Sequence, residues 1–143
     1  MIVLLDVNVL IALVDTTHVH HAAAKRYYLS IQTSGWATCP ITENGFLRIL
    51  GRPNVGHSPD SPVSARILFQ GLLSSPGHQF WPDDISLSDL LIFPLLPSSQ
   101  NLTDIYLLAL AVKHSGRFAT FDSKIDSSII PGGKTAYFKI PTP

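Results

Sequence analysis

The segment IVLLDVNVLIALV at residues 2–14 decides the fold class of this chain. Residues 2–5 form a continuous apolar run, which is typical of a strand buried on both faces of a sheet. Residues 7–14 then have the composition of a short apolar helix. Asp6 and Asn8 interrupt the apolar stretch, which also has neither the basic leader nor the cleavage site of a signal peptide. We therefore expect a buried strand and a helix here, and no membrane segment.

The rest of the chain continues this alternation of strands and helices. Apolar spacing predicts helices at residues 20–31, 42–50, 61–73, 87–93 and 103–114, and strands at 36–39, 79–81, 117–120 and 135–140. Strands that alternate with helices imply a parallel sheet covered on both faces. With no repeat or long linker, the sequence predicts a single domain over residues 1–143. Its expected fold class is α/β, three layers (α/β/α) around a central, mostly parallel sheet of four to five short strands.

The amino-acid composition limits the possible functions but does not identify one. Ten basic and ten acidic residues give a net charge of zero, so no basic excess indicates a nucleic-acid partner. Nine of the ten acids are Asp, although Glu is the better helix former, which hints that several acids are placed for a specific task. Cys39 is the only cysteine, which excludes an internal disulfide and favours a reducing, cytoplasmic location.

Two acids follow predicted strands directly. Asp6 comes after residues 2–5, and Asp122 comes just after residues 117–120. In open parallel sheets, ligands bind in the crevice outside the carboxyl ends of the strands, where these two carboxylates would meet. The alternative is that each acid only caps the next helix or turn.

Two further acids open predicted helices. Glu43 shares a helix face with Phe46 and Leu47, and Asp104 shares one with Leu107 and other apolar residues. The alternative is a first-turn acid favoured by the helix dipole. If all four acids converge, pairs about 5 Å apart repel by roughly 3 kcal/mol at an effective dielectric near 20. Divalent cations remove that repulsion, and all-oxygen ligands favour Mg²⁺ or Mn²⁺ over Zn²⁺.

Three ordered segments carry a resemblance to a known family: LLDVNVLIAL at 4–13, ITENGFLRIL at 41–50 and LTDIYLLALAVKHSGRFATFD at 102–122. The sequence resembles the PIN-domain family, and more closely its VapC-type toxins from bacterial and archaeal toxin–antitoxin modules. The resemblance implies an Mg²⁺- or Mn²⁺-dependent endoribonuclease in which a metal-activated water hydrolyses RNA phosphodiester bonds. The acids that it assigns to catalysis and to the metal are Asp6, Glu43, Asp104 and Asp122.

The resemblance also implies supporting residues and partners. Asn8 matches a polar residue that supports the site, while Thr120 flanks Asp122 and is expected to orient it or a water. An RNA substrate, a cognate antitoxin protein and a homodimer are expected. The antitoxin would place a segment across the crevice, with a basic side chain against the acids.

Two other functions remain open. One is a different Mg²⁺-dependent phosphoesterase, such as a haloacid-dehalogenase-like phosphatase with Asp6 as nucleophile, although Asn8 stands where that class has a second Asp. The other is a non-catalytic PIN-like binding module. Arg48 is a candidate phosphate contact or partner of an acid on its own helix, and Asp126 is a candidate fifth acid. A basic rim around the crevice, or scattered solvated charges, is the interpretation of Arg52, Lys113, Arg117 and Lys124. The histidines His18, His20 and His21 match no zinc spacing and are interpreted as a solvated helix start.

Overall fold

The computed structural model describes residues 1–54 and 56–143 of the chain. Five short strands form one sheet: β1 (Val3–Leu5), β2 (Trp36–Thr38), β3 (His78–Phe80), β4 (Arg117–Thr120) and β5 (Tyr137–Lys139). Their order is β3-β2-β1-β4-β5, and every neighbouring pair is parallel. The structure therefore confirms the predicted fold class, and it places β1 and β4 side by side at the centre of the sheet.

Helices cover both faces of this sheet. They are α1 (Val7–Val14), α2 (His21–Ile31), α3 (Pro40–Leu50), α4 (Pro62–Leu73), α5 (Leu102–Lys113) and α6 (Gly133–Ala136), with 3-10 turns at Ser99–Asn101 and Ser127–Ile129. In the described ranges, no helix is both long and apolar enough to cross a membrane.

The side chains of β1 divide the core into two layers. Because successive side chains of a strand point to opposite faces, Leu4 packs with Leu107 of α5, while Leu5 packs with Leu10 of α1 and Phe46 of α3. All five are completely buried. The alternation fixes α5 on one face of the sheet and α1 with α3 on the other, so the carboxyl end of β1 lies between them.

Close packing brings α3 against α1. A Cβ atom on Gly45 would meet Cγ2 of Val7 at 2.6 Å, closer than real side chains approach. Glycine at this position therefore allows the two helices to approach each other directly beside Asp6.

The predicted helix at 87–93 is wrong. This segment is a series of turns, in which the Asp89 carboxylate accepts the backbone N–H groups of Leu91 at 2.9 Å and Ile92 at 3.4 Å. A side chain that binds nearby backbone donors competes with the helix for them. Of the predicted apolar face only Phe93 is buried, while Leu91 is 88% exposed.

Two elements begin two residues away from the predicted position, and the other helices and strands agree with the prediction to within one residue at each end. Helix α3 begins at Pro40 instead of residue 42, because proline is tolerated at the first helical position, where its missing N–H has no partner to lose. The last strand is Tyr137–Lys139 and not 135–140, since α6 occupies Gly133–Ala136.

Candidate functional site

Asp6 lies at the carboxyl end of β1, where it also caps α1. Its Oδ1 accepts the backbone N–H of Val7 at 2.7 Å, and its Oδ2 accepts the hydroxyl of Thr120 at 2.7 Å. The residue is only 7% exposed. Burial raises the pKa of the Asp6 carboxyl; the two hydrogen bonds oppose this rise, and the negative charge of Asp122 adds to it. Asp6 therefore lies at the sheet edge, as predicted, and it also caps the next helix, as the alternative proposed.

Thr120 joins Asp6 to Asp122. The Thr120 hydroxyl donates to Asp6 and accepts the backbone N–H of Asp122 at 3.0 Å. Asp122 is half-buried, and its Oδ1 accepts the backbone N–H of Lys124 at 2.8 Å. Since β1 and β4 are neighbours in the sheet, one hydroxyl at the end of β4 fixes the acids that follow both strands.

Asp104 lies in the first turn of α5, on the face of the sheet opposite α1 and α3. It is half-buried, and burial, followed by the negative charges of Asp6 and Asp122, raises the pKa of its carboxyl to about 7. Burial of the carboxyl is the larger cause, and the charges of the two neighbouring carboxylates add to it. Without a cation, ionising Asp104 near neutral pH is therefore unfavourable.

These three acids line one cleft of about 500 Å³. The other side chains that line it are Val7, Asn8, Ile11, His18 and Ile49. The Oδ1 atom of Asn8 is buried and has no hydrogen-bond partner among the described residues. A buried oxygen without a donor, beside three carboxylates, is a site where a cation or water would be stabilised.

Glu43 is not among the residues that line this cleft. It lies in the first turn of α3, where its Oε2 accepts the hydroxyl of Thr38 at 2.8 Å. His78 Nε2 also lies 2.8 Å from the Thr38 hydroxyl oxygen. Because the Thr38 hydroxyl donates its only proton to Glu43, His78 Nε2 must donate to the Thr38 oxygen. The sequence correctly indicated that a carboxylate beside an apolar helix face needs a partner, but the partner here is a hydroxyl at the end of β2.

Asp126, Arg48 and Arg52 also lie outside the acidic cleft. Asp126 is exposed, accepts the backbone N–H of Ser128 at 3.1 Å and does not line the acidic cleft. Arg48 lines an adjoining cleft, and Arg52 lines a second one. Ile49 lines all three clefts, so the acidic cleft and its two neighbours form one continuous surface.

Comparison with known proteins assigns the fold to a family. The family model of the PIN domain matches residues 3–127. The chain belongs to the PIN-domain family. The matched residues include all three acids of the cleft.

Named relatives of this PIN domain are ribonucleases from Mycobacterium tuberculosis. Ribonuclease VapC39 is 41% identical over 134 residues, which cover 92% of this chain and 96% of the relative. Ribonuclease VapC44 is 43% identical over 131 residues, covering 90% and 92% respectively. Among solved structures, VapBC2 from Rickettsia felis, bound to a DNA fragment from its promoter, contains a similar chain with a TM-score of 0.62. That chain is 12% identical, and the match covers 92% of this chain and 94% of that one, so it supports the fold.

The donor atoms of this PIN domain fit a hard divalent cation. Carboxylates of Asp6, Asp104 and Asp122 with the free oxygen of Asn8 form an all-oxygen set, as Mg²⁺ and Mn²⁺ prefer. Across residues 1–54 and 56–143, no three Asp, Glu, His or Cys side chains are close enough together to enclose an ion. The three acids thus share a cleft without forming a closed cage.

One cleft residue was missed by the sequence analysis. His18 lines the cleft beside the three acids, although its spacing from His20 and His21 indicated only a helix start. No local motif could have revealed this position, because it depends on the path of the loop between α1 and α2.

Proposed function

We propose that this chain is an Mg²⁺- or Mn²⁺-dependent endoribonuclease that acts in the cytoplasm as the toxin of a toxin–antitoxin pair. The observation that carries the proposal is the cleft in which Asp6, Asp104 and Asp122 meet from three separate elements. The raised pKa of Asp104, about 7, supports it, because a carboxyl destabilised by its neighbours gains most from a bound cation.

The three cleft acids would hold the cation, with the Asn8 oxygen beside them. A bound divalent cation supplies Lewis-acid activation of water and stabilises charge on the scissile phosphate. Thr120 keeps the Asp6 carboxylate oriented by its hydrogen bond, and the Val7 N–H holds the other oxygen. The protein thereby fixes the ligands before substrate arrives, which is the contribution that a folded site makes to such catalysis.

The surface around the cleft supports a single-stranded RNA substrate. Arg48 is exposed in the adjoining cleft with Asn44 and Thr103, and Arg52 is exposed in the second cleft with His57. A guanidinium group in each neighbouring cleft can contact a phosphate of a bound RNA strand. A chain with no net charge therefore presents positive charge next to the acids.

The expected partners follow from the relatives and from the surface. We propose a cognate antitoxin that covers the acidic cleft with a segment containing a basic side chain. We also propose a homodimer, which is supported by the exposed leucines of the turn region, Leu90 (76%), Leu91 (88%), Leu95 (61%) and Leu96 (58%). Grouped apolar side chains on a surface typically mark a protein interface.

Cleavage assays on the purified chain test the proposed activity. A 5′-labelled single-stranded RNA should yield internal fragments with Mn²⁺ and none with excess EDTA. A chromogenic phosphomonoester in the same buffer should stay intact. Turnover of the monoester with no RNA cleavage would favour the phosphatase, and the absence of both activities would favour a binding module.

A further inference from the structure

His18 lies between α1 and α2 and is half-buried. Its side chain lines the acidic cleft together with Asp6, Asp104 and Asp122. Of the described side chains that line this cleft, only His18 and Asn8 carry N–H donors. The residue is therefore a neutral or positive group facing a strongly acidic surface.

A local hydrogen bond fixes which nitrogen of His18 carries the proton. The backbone N–H of His20 donates to His18 Nδ1 at 3.0 Å. A backbone N–H can only donate, so Nδ1 must present its lone pair, and the proton of the neutral ring lies on Nε2. Within the described part of the chain, no hydrogen bond to Nε2 is formed.

This tautomer determines what His18 can bind. With one nitrogen accepting from the backbone and the other protonated, the ring has no free lone pair and cannot ligate a metal ion. It can donate one hydrogen bond from Nε2. The group best suited to receive that bond, in a cleft built for a cation and its anionic substrate, is a phosphate oxygen.

We propose that His18 is a substrate-contacting residue that donates Nε2–H to a phosphate oxygen of RNA bound in the acidic cleft. The inference rests on the proposed ribonuclease function and adds a residue to it. The contact would help to bind the substrate phosphate in the same cleft as the carboxylates that would hold the cation. A role limited to the loop would need only the Nδ1 bond and would not use Nε2.

Two substitutions separate the two nitrogens. His18→Asn places an amide oxygen at the position of Nδ1, so it keeps the acceptor for His20 and removes the Nε2 donor. His18→Gln does the reverse, since its amide nitrogen replaces Nε2 and the local acceptor is lost. We expect kcat/KM for RNA to fall about 10- to 100-fold in the Asn variant, as for loss of one donor to a charged group. The Gln variant should retain several times more activity than the Asn variant while melting at a lower temperature.

His21→Asn is the matched control. His21 Nδ1 donates to the carbonyl of Ala12 at 2.7 Å, and an asparagine amide can make the same bond. His21 does not line the acidic cleft, so this variant should cleave RNA like the wild type.

The outcomes distinguish this inference from the proposed function. Wild-type cleavage with an equally active His18→Asn protein would overturn the role of His18 alone, and so would equal losses in the Asn and Gln variants. If the wild type does not cleave RNA, the proposed function itself fails. Long-range ¹H–¹⁵N NMR of the histidine rings tests the tautomer independently of activity: the Nε2–H form is expected for His18, and an Nδ1–H form would refute the argument.

Discussion

Replacing Asp104 by Asn should stabilise the cation-free protein, and should do so only above acidic pH. In the folded chain, the pKa of Asp104 rises from 3.8 to about 7, which corresponds to about 4 kcal/mol because each pKa unit is worth about 1.4 kcal/mol. Solvent on the open side of the cleft screens part of this, so we expect about 2 to 4 kcal/mol.

The direction in which stability changes with pH follows from the number of protons that each state binds. Since the folded pKa lies above the unfolded one, the native state binds more protons, and its free energy of unfolding falls as pH rises from about 4 to about 7. Below pH 4 the carboxyl is protonated in both states, so the wild type and the Asp104→Asn protein should have the same stability. Above pH 7 the Asp104→Asn protein lacks the cost of burying an ionised carboxyl and the repulsion from Asp6 and Asp122, so it should be more stable.

Urea denaturation in EDTA at acidic and at slightly alkaline pH measures this difference. The stability gain of the variant should be near zero at the lower pH and near its maximum at the higher pH, equivalent to roughly 5 to 12 °C in Tm for a chain of this size. Adding Mn²⁺ should reverse the order by stabilising the wild type more. A variant that is less stable than wild type at both pH values would show that Asp104 is only a first-turn helix acid, and would refute the electrostatic coupling.

Two further substitutions test the edges of the site. Glu43→Gln should keep more than about a tenth of wild-type kcat, because glutamine can still accept the hydrogen bond from the Thr38 hydroxyl. A loss of kcat of about 100-fold or more would instead place Glu43 among the acids that hold the cation. Arg48→Ala should raise KM for RNA about 3- to 30-fold with little change in kcat. The control is Arg26→Ala, on the exposed face of α2, which should change neither constant. If both substitutions change KM equally, Arg48 does not contact the RNA.

The positions of Asp6 and Asp122 were predictable because parallel topology is a strong constraint. Each acid follows a short apolar strand, and the carboxyl ends of parallel strands meet at one edge. Their convergence required no knowledge of individual side-chain contacts. Thr120 was expected to orient Asp122 or a water because it flanks that residue. In the structure its hydroxyl donates to the Asp6 carboxylate and accepts the backbone N–H of Asp122.

Other features depend on contacts that sequence periodicity does not encode. Glu43 has the predicted place on α3, but its direction is set by Thr38, a residue of another element. The apolar spacing at 87–93 favoured a helix, whereas one side chain, Asp89, bound the backbone donors and produced turns. His18 reaches the cleft through the course of a loop, for which the sequence contains no periodic signal.

The central claim is that Asp6, Asp104 and Asp122 together hold the cation that cleavage requires. Calorimetric titration of Mn²⁺ into the wild type and into Asp122→Asn, with RNA cleavage measured over the same Mn²⁺ range, tests it most directly. We expect saturable binding to the wild type, half-maximal cleavage at the same Mn²⁺ concentration as half-maximal binding, and loss of both in the variant. Cleavage that persists in EDTA, or unchanged Mn²⁺ binding by Asp122→Asn, would contradict it.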